Sequence, residues 1–182
     1  MSEPDSLQSP RVRTEAAPKA TERFKPSMTV AAVIERDGRY LLVEELTSEG
    51  LLLNNPAGHL EQGESPTEGV IREVLEETAR DFTPTAWLGL YMSRFLRPHR
   101  GQDVTYVRVA FVGDVGEQIP GRAFDEPVQR TLWMTLEEIR GCRERHRSPL
   151  VLQCIEDHAA GRRLPMDALY THPSLYEPPE HR

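Results

Sequence analysis

Seven positions across twenty residues constrain this chain more than any other feature: Gly58, Glu64, Arg72, Glu73, Val74, Glu76 and Glu77, spaced G-x5-E-x7-R-E-V-x-E-E. A random chain of average composition would meet this spacing in roughly a few cases per million, so the pattern is read as chemistry rather than coincidence. Ser65 is placed to cap a helix, Pro66 suits the first helical position, and Glu68 completes a capping box with Ser65. The pattern then predicts a helix to about Thr78. At about 100° per residue, Val70, Ile71, Val74, Leu75 and Thr78 share one apolar side. Glu73 and Glu77 form an i,i+4 pair on the other side, with Glu76 beside them. Gly69 projects the same way and is expected to leave open space for a substrate or ion.

Carboxylates one helical turn apart repel by a few tenths of a kcal/mol per pair. Hard divalent cations that prefer oxygen ligands offset this repulsion, so Mg²⁺, or Mn²⁺, is the expected partner. Such a cation would bridge phosphate oxygens and activate water for attack on phosphorus. Arg72 can pair with one carboxylate and fix its orientation. The competing reading of EVLEE alone is a solvated acidic face. Having Gly58, Glu64 and Arg72 in register favours a site.

These residues resemble the Nudix box, the signature of metal-dependent hydrolases acting on nucleoside diphosphates linked to another group. The chain departs from the family pattern at its end, where Ala79 and Arg80 replace glycine and a bulky aliphatic residue. FKPSMTVAAV at 24–33, LLVEE at 41–45, NNPAGHLE at 54–61, RSPLV at 147–151 and GRRLP at 161–165 extend the resemblance toward the NudJ-type phosphatase subgroup. Leu53 stands where that subgroup often has tryptophan. The resemblance implies Glu76 and Glu77 as metal ligands, with the Gly58 backbone carbonyl as a further ligand. Glu73 is implied either as a third ligand or as the base, steadied by Arg72. Glu64 is implied as a brace for the loop or a remote contact to the metal cluster. A later acid often joins such sites; Glu126, beside Asp125, is the candidate, against the reading of an ordinary turn residue.

Other side chains carry weaker signals. Arg94, Arg97, His99 and Arg100 form a basic segment that could neutralise phosphate or lie solvated. His59 could contact phosphate, and Asn55 could bind the organic part of the substrate or brace its own loop. Trp87 and Trp133 lie in apolar patterns and are read as core.

Residues 28–35 and 39–45 read as strands joined by Asp37-Gly38, a hairpin signal. A loop is expected over 46–57. Further strands are expected at about 85–95, 104–113 and 130–134. Thr135 and Glu138 form a second capping box, and Ser148-Pro149 opens a helix to about Ala160 that ends near Gly161. The order predicts an α/β sandwich with a mixed sheet between helices, which is also the fold the resemblance implies.

At 182 residues, with 38% hydrophobic and 28% charged, one core is expected. It spans 24–172, between a disordered extension at 1–23 and a loose tail at 173–182. A net charge of −7 argues against extended nucleic acid as partner. Cys142 and Cys154 form no C-x-x-C pair, and there is neither a membrane-spanning apolar run nor a signal segment, so a cytoplasmic monomer or homodimer is expected. The resemblance implies a small nucleotide or pyrophosphate substrate and release of orthophosphate from nucleoside tri- and diphosphates or from pyrimidine and thiamine pyrophosphates. Another pyrophosphohydrolase specificity, such as ADP-ribose, is the alternative. A nucleotide-binding module without turnover stands behind both.

Overall fold

The computed structural model describes residues 23–97 and 101–177. The expectations for 1–22, His99, Arg100 and 178–182, and for the Arg97 side chain, lie outside the described residues. Strand β1 (Ser27–Val33) is followed by β2 (Glu35–Arg36), β3 (Arg39–Thr47), β4 (Gly50–Asn54) and β5 (Ala57–His59). Helix α1 (Pro66–Thr78) leads to β6 (Phe82–Arg97), β7 (Gln102–Val115) and β8 (Val128–Thr135). Helices α2 (Leu136–Arg140) and α3 (Leu150–Ala159) follow, with a 3-10 turn at Arg143–Arg145 between them and two more, at Met166–Ala168 and Pro173–Tyr176, after α3.

The strands form two four-stranded sheets. One has the order β5-β1-β7-β6 and is mixed, because β1 runs parallel to β7 while its other pairs are antiparallel. The other is antiparallel: β3 pairs β2 and β4 along one edge and β8 along the other. The stretch read as one strand over 28–35 is therefore divided between the sheets at Ile34. The Asp37-Gly38 turn follows expectation, with both residues at positive φ, 52° and 76°, as a two-residue hairpin of right-handed twist requires.

Strand periodicity sorts the core into two parts. Val30, Ala32, Ile34, Leu41, Val109 and Phe111 join Val70 and Val74 of α1. Val33, Leu42, Ala110 and Val112 join Ile139 of α2 and Val151, Cys154 and Ile155 of α3. Helices thus cover opposite faces, giving the α/β sandwich with a mixed sheet. Trp87 and Trp133 are partly buried and pack against the first part.

Both capping boxes form as the sequence predicts: Ser65 with Glu68, and Thr135 with Glu138. Three expectations change. The loop expected over 46–57 contains β4 and ends on the first residue of β5, and both short runs gain order from pairing with β3 and β1. Ile71 is exposed and Gly69 is buried, so the covered arc of α1 is rotated toward its carboxylates. A Cβ at Gly69 would meet Glu64 Oε1 at 2.9 Å and Leu60 Cδ1 at 3.0 Å, so the expected open space is filled. Helix α3 has Pro149 at its N-cap, and no side chain caps it.

His158 near the end of α3 is a buried titratable group. Its Nδ1 lies 3.1 Å from the Tyr40 hydroxyl, and Arg163 approaches Nε2. A guanidinium can only donate, so Nε2 accepts, and the neutral ring carries its hydrogen on Nδ1. Burial, and then the Arg163 charge, lower its pKa to about 4. The native state therefore binds fewer protons than the unfolded state from about pH 6.5 down to about 4. Stability supplied by the neutral ring is complete above that window and is lost as pH falls through it. Thermal melts from pH 7 to 4.5 should show His158→Gln losing less stability on acidification than the parent, by on the order of 1 kcal/mol after allowing for solvent screening.

Candidate active site

Helix α1 and strand β5 meet along three contacts that bring most of the motif together. The backbone N–H of Ala57 donates to Glu77 Oε2 at 2.8 Å. Arg72 Nη2 donates to the carbonyl of His59 at 3.1 Å. Between them, the Glu73 carboxyl lies over Gly58, where a Cβ would come within 2.1 Å of it. Glycine is needed at position 58 because that carboxyl occupies the place of a side chain.

Arg72 organises the acids around it. Its Nε and Nη2 donate to the two oxygens of Glu64 at 3.0 and 2.7 Å, a bidentate pair. Its Nη1 donates to Glu73 Oε1 and Glu76 Oε2, each at 2.9 Å. These bonds hold the Glu64 carboxyl below the usual range. Glu73 moves the other way: burial raises its pKa and outweighs Arg72. Glu77 is raised well above the ordinary value, first by burial, while the Ala57 N–H opposes the rise and the charges of Glu45 and Glu73 add to it.

Of these groups, Glu73 and Glu77 line a cleft of about 600 Å³, together with Gly58, His59, Arg94 and Glu126, whereas Glu64, Arg72 and Glu76 lie off its lining. The segment leading to Glu126 is fastened to α1 through Asp125 N to Glu76 O at 3.0 Å. His59 is exposed at the rim, its ring 6.3 Å from that of Tyr106. Arg94 is exposed and pairs with Asp103 across the β6–β7 ladder at 2.7 Å. Asn55 lies beneath the cleft rather than on its lining, 1% exposed, and its Oδ1 accepts from Arg108 at 3.2 Å. Leu53 is fully buried in the core, so the platform offered by tryptophan in the subgroup is absent at that position.

Sequence reasoning missed Glu45, Arg108, Tyr106 and Arg147, all on the lining. Arg108 is a buried cation on β7 that donates to Asn54 Oδ1 at 3.3 Å as well as to Asn55. Asn54 donates to Glu45 Oε1 at 2.9 Å, and Glu45 pairs with Arg147 at 3.4 Å. This polar chain links β7, β4, β3 and the segment entering α3. The available signal was the polar pair Asn54-Asn55 between apolar runs, whose burial demands partners.

Among the described residues, no three His, Cys, Asp or Glu side chains converge to hold a metal ion. Arg72 instead draws Glu73 and Glu76 to itself. The donor chemistry nevertheless fits a hard divalent cation. All the donors are oxygens, and Glu77 is a buried carboxyl near two further acids whose charge raises it. A cation there would relieve that repulsion. Gly58→Ala displaces a flexible carboxylate end rather than backbone, so the fold should survive by circular dichroism. Calorimetric Mn²⁺ titration should show affinity weakened by about tenfold or more, in line with misplacing a ligand.

The sequence profile of the NUDIX domain matches residues 23–153. Phosphatase NudJ of Escherichia coli K12 is 32% identical over 146 residues, covering 80% of this chain and 92% of that protein. A NUDIX hydrolase from Nitrosomonas europaea superposes with a TM-score of 0.74 at 46% identity, covering 81% of this chain and 98% of that one. An ADP-ribose pyrophosphatase from Streptococcus suis shares the fold at a TM-score of 0.54 and 18% identity, covering 76% and 93% of the two chains. With a box helix seated on its glycine strand and this similarity along most of its length, the chain belongs to the Nudix hydrolases.

Proposed function

We propose that this chain hydrolyses the terminal phosphoanhydride of nucleoside tri- and diphosphates, and of hydroxymethylpyrimidine and thiamine pyrophosphates, releasing orthophosphate with Mg²⁺. The observation that carries the reading is the 32% identity with Phosphatase NudJ over 80% of the chain. The cleft supports it, with buried carboxylates at one side, the buried Arg108 in its wall, and Arg94 and His59 exposed on its lining.

Glu76, Glu77 and the Gly58 carbonyl would hold the cation, with Glu126 completing the set from the segment fastened to α1. Bound Mg²⁺, or Mn²⁺, supplies charge neutralisation on the phosphates and polarisation of phosphorus. In the reaction a water oxygen bonds to the terminal phosphorus. The bond from that phosphorus to the bridging oxygen breaks, and its electron pair leaves on the shortened substrate. Glu73 acts as a further ligand or accepts the water proton, and its raised proton affinity suits the second task. Arg72 keeps it oriented in either case. Arg108 places positive charge beside the reacting phosphates, where a preorganised cation favours developing negative charge.

The test is a substrate panel with Mg²⁺ that measures orthophosphate and pyrophosphate separately. ATP, GTP, ADP, thiamine pyrophosphate and hydroxymethylpyrimidine pyrophosphate should yield orthophosphate. Glu76→Gln, a near-isosteric change, should lower kcat by about 100-fold or more while leaving the melting curve intact. AMP from ADP-ribose, without orthophosphate from the other substrates, would overturn the reading in favour of a pyrophosphohydrolase. Pyrophosphate as the product from nucleoside triphosphates would do the same.

A further inference from the structure

The acidic cleft has a buried cation in its wall. Arg108 is 7% exposed, yet it belongs to the cleft lining. Its neighbours along β7, Val107 and Val109, are apolar. Strand register sets it in one row with Thr29 on β1 and His59 on β5, the residue after Gly58. All three side chains line the cleft. Neighbouring strands lie about 4.8 Å apart, so the backbones of His59 and Arg108 are separated by about 10 Å. That leaves room for a phosphate above the small side chain of Thr29.

The partners of this cation are neutral. Its guanidinium donates to two amide oxygens, Asn55 Oδ1 at 3.2 Å and Asn54 Oδ1 at 3.3 Å, which take two of its five N–H donors. The Cys154 thiol near it is neutral too, its pKa pushed up to about 11 by burial. Among the described residues no carboxylate pairs with Arg108. Glu45 is kept apart from it by Asn54, which accepts from Arg108 and donates its own N–H to Glu45 Oε1 at 2.9 Å. Glu45 pairs instead with Arg147. A cation with a purely structural task at this depth calls for an acid beside it, because burying an uncompensated charge is strongly unfavourable. Asparagine oxygens satisfy its N–H groups and leave its charge in place for an anion that enters the cleft.

We propose that Arg108, held by Asn54 and Asn55 in place of an acid, receives the transferred phosphoryl group and retains it as orthophosphate after hydrolysis, so that free orthophosphate competes with substrate for the cleft. The inference rests on the orthophosphate-releasing reading above and adds the regulation of that site by its own product. Asn54 and Asn55 are positioning residues in this arrangement. Asn55 lies beneath the cleft and off its lining, so it acts on the anion through Arg108. The row that Arg108 shares with His59 places the anion beside Gly58 and the helix acids rather than at the outer reach of the ribbon, where Val104 and Phe95 pair. The group held there is therefore the one that reacts, and the shortened substrate extends outward.

The test uses the full chain with Mg²⁺, orthophosphate as the probe, and the variants Asn55→Asp, Asn55→Ala and Arg108→Gln. Asn55→Asp is nearly isosteric and gives Arg108 an internal counter-ion. By calorimetry it should weaken orthophosphate by about tenfold or more, the effect of losing a charge-assisted contact. Its melting midpoint should hold or rise, and its Mn²⁺ affinity should not fall. Asn55→Ala removes the hydrogen bond and adds no charge, so it should lower the midpoint and weaken orthophosphate less than Asn55→Asp does. Arg108→Gln, assayed well below its own midpoint, should lose orthophosphate at least as far as Asn55→Asp. On whichever substrate the parent turns over, orthophosphate should inhibit competitively, with an inhibition constant raised by the same factor in Asn55→Asp. A parent that binds no orthophosphate, or an Asn55→Asp variant that loses stability yet keeps the parent's affinity, would overturn the proposal, as would inhibition that is not competitive. If the parent hydrolyses nothing in the panel, the earlier reading fails and the calorimetric comparison still decides this one.

Discussion

The guanidinium of Arg72 is the contact on which the rest of the site depends. All five of its N–H donors are engaged: two by Glu64, one each by Glu73 and Glu76, and one by the carbonyl of His59. A planar fork can satisfy acceptors on the helix, the preceding loop and strand β5 at once, whereas a lysine ammonium has three donors and no fixed plane. The loop from Gly58 to Glu64 is thereby fixed against α1, and the placement of Glu73 over Gly58 follows. Burial of so many carboxylates would be unfavourable without this cation. The same arrangement keeps oxygen donors close to one another, which a solvated helix face would not do.

The second constraint is the crossing of the chain between sheets at Ile34. It sets β1 beside β5 and β7, while β3 carries Glu44 and Glu45 in the other sheet. The cleft lies where these sheets approach, with α1 along one side and the start of α3 at another. Glu45 and Arg108 are therefore neighbours in space although they belong to separate sheets. Asn54 and Asn55, at the end of β4 and just beyond it, join them. Their amides satisfy charges that would otherwise be stranded in a largely apolar interior.

What was legible in the sequence was mostly local. Both capping boxes and the Asp37-Gly38 turn depend on residues within four positions of each other, and each formed as read. The box helix and the fold class were legible too, because periodicity and a resemblance along most of the chain agreed. Strands β4 and β5 were hidden because five and three residues carry little period of their own and take order from partners distant in sequence. Gly69 and Ile71 were misplaced because a helical wheel assigns the covered face from apolar residues alone, whereas Glu73 and Glu77 here turn inward. Arg108 and Arg147 carried no local mark; only the tertiary fold brings them to the cleft. The departures at the box exit have a local resolution. Ala79 adopts a left-handed conformation with φ 52°, and Arg80 reaches the carbonyl of Gly116 at 2.9 Å.

The segment before β8 acts as a rivet between the box helix and β3. Asp125 N holds Glu76 O at 3.0 Å, and two residues later Pro127 O takes the N–H of Leu46 at the same distance. Glu126 sits between these fastenings, so its spacing from the helix acids and from Glu45 is set by backbone rather than by side-chain choice. The acidic side of the cleft therefore behaves as one rigid jaw. Accommodation of substrates of different girth falls to the facing jaw, where Ser93, Phe95, Val104 and Tyr106 ride on the outer reach of the β6–β7 ribbon. A change of specificity in this architecture can thus be made on the ribbon without disturbing the spacing of the acids.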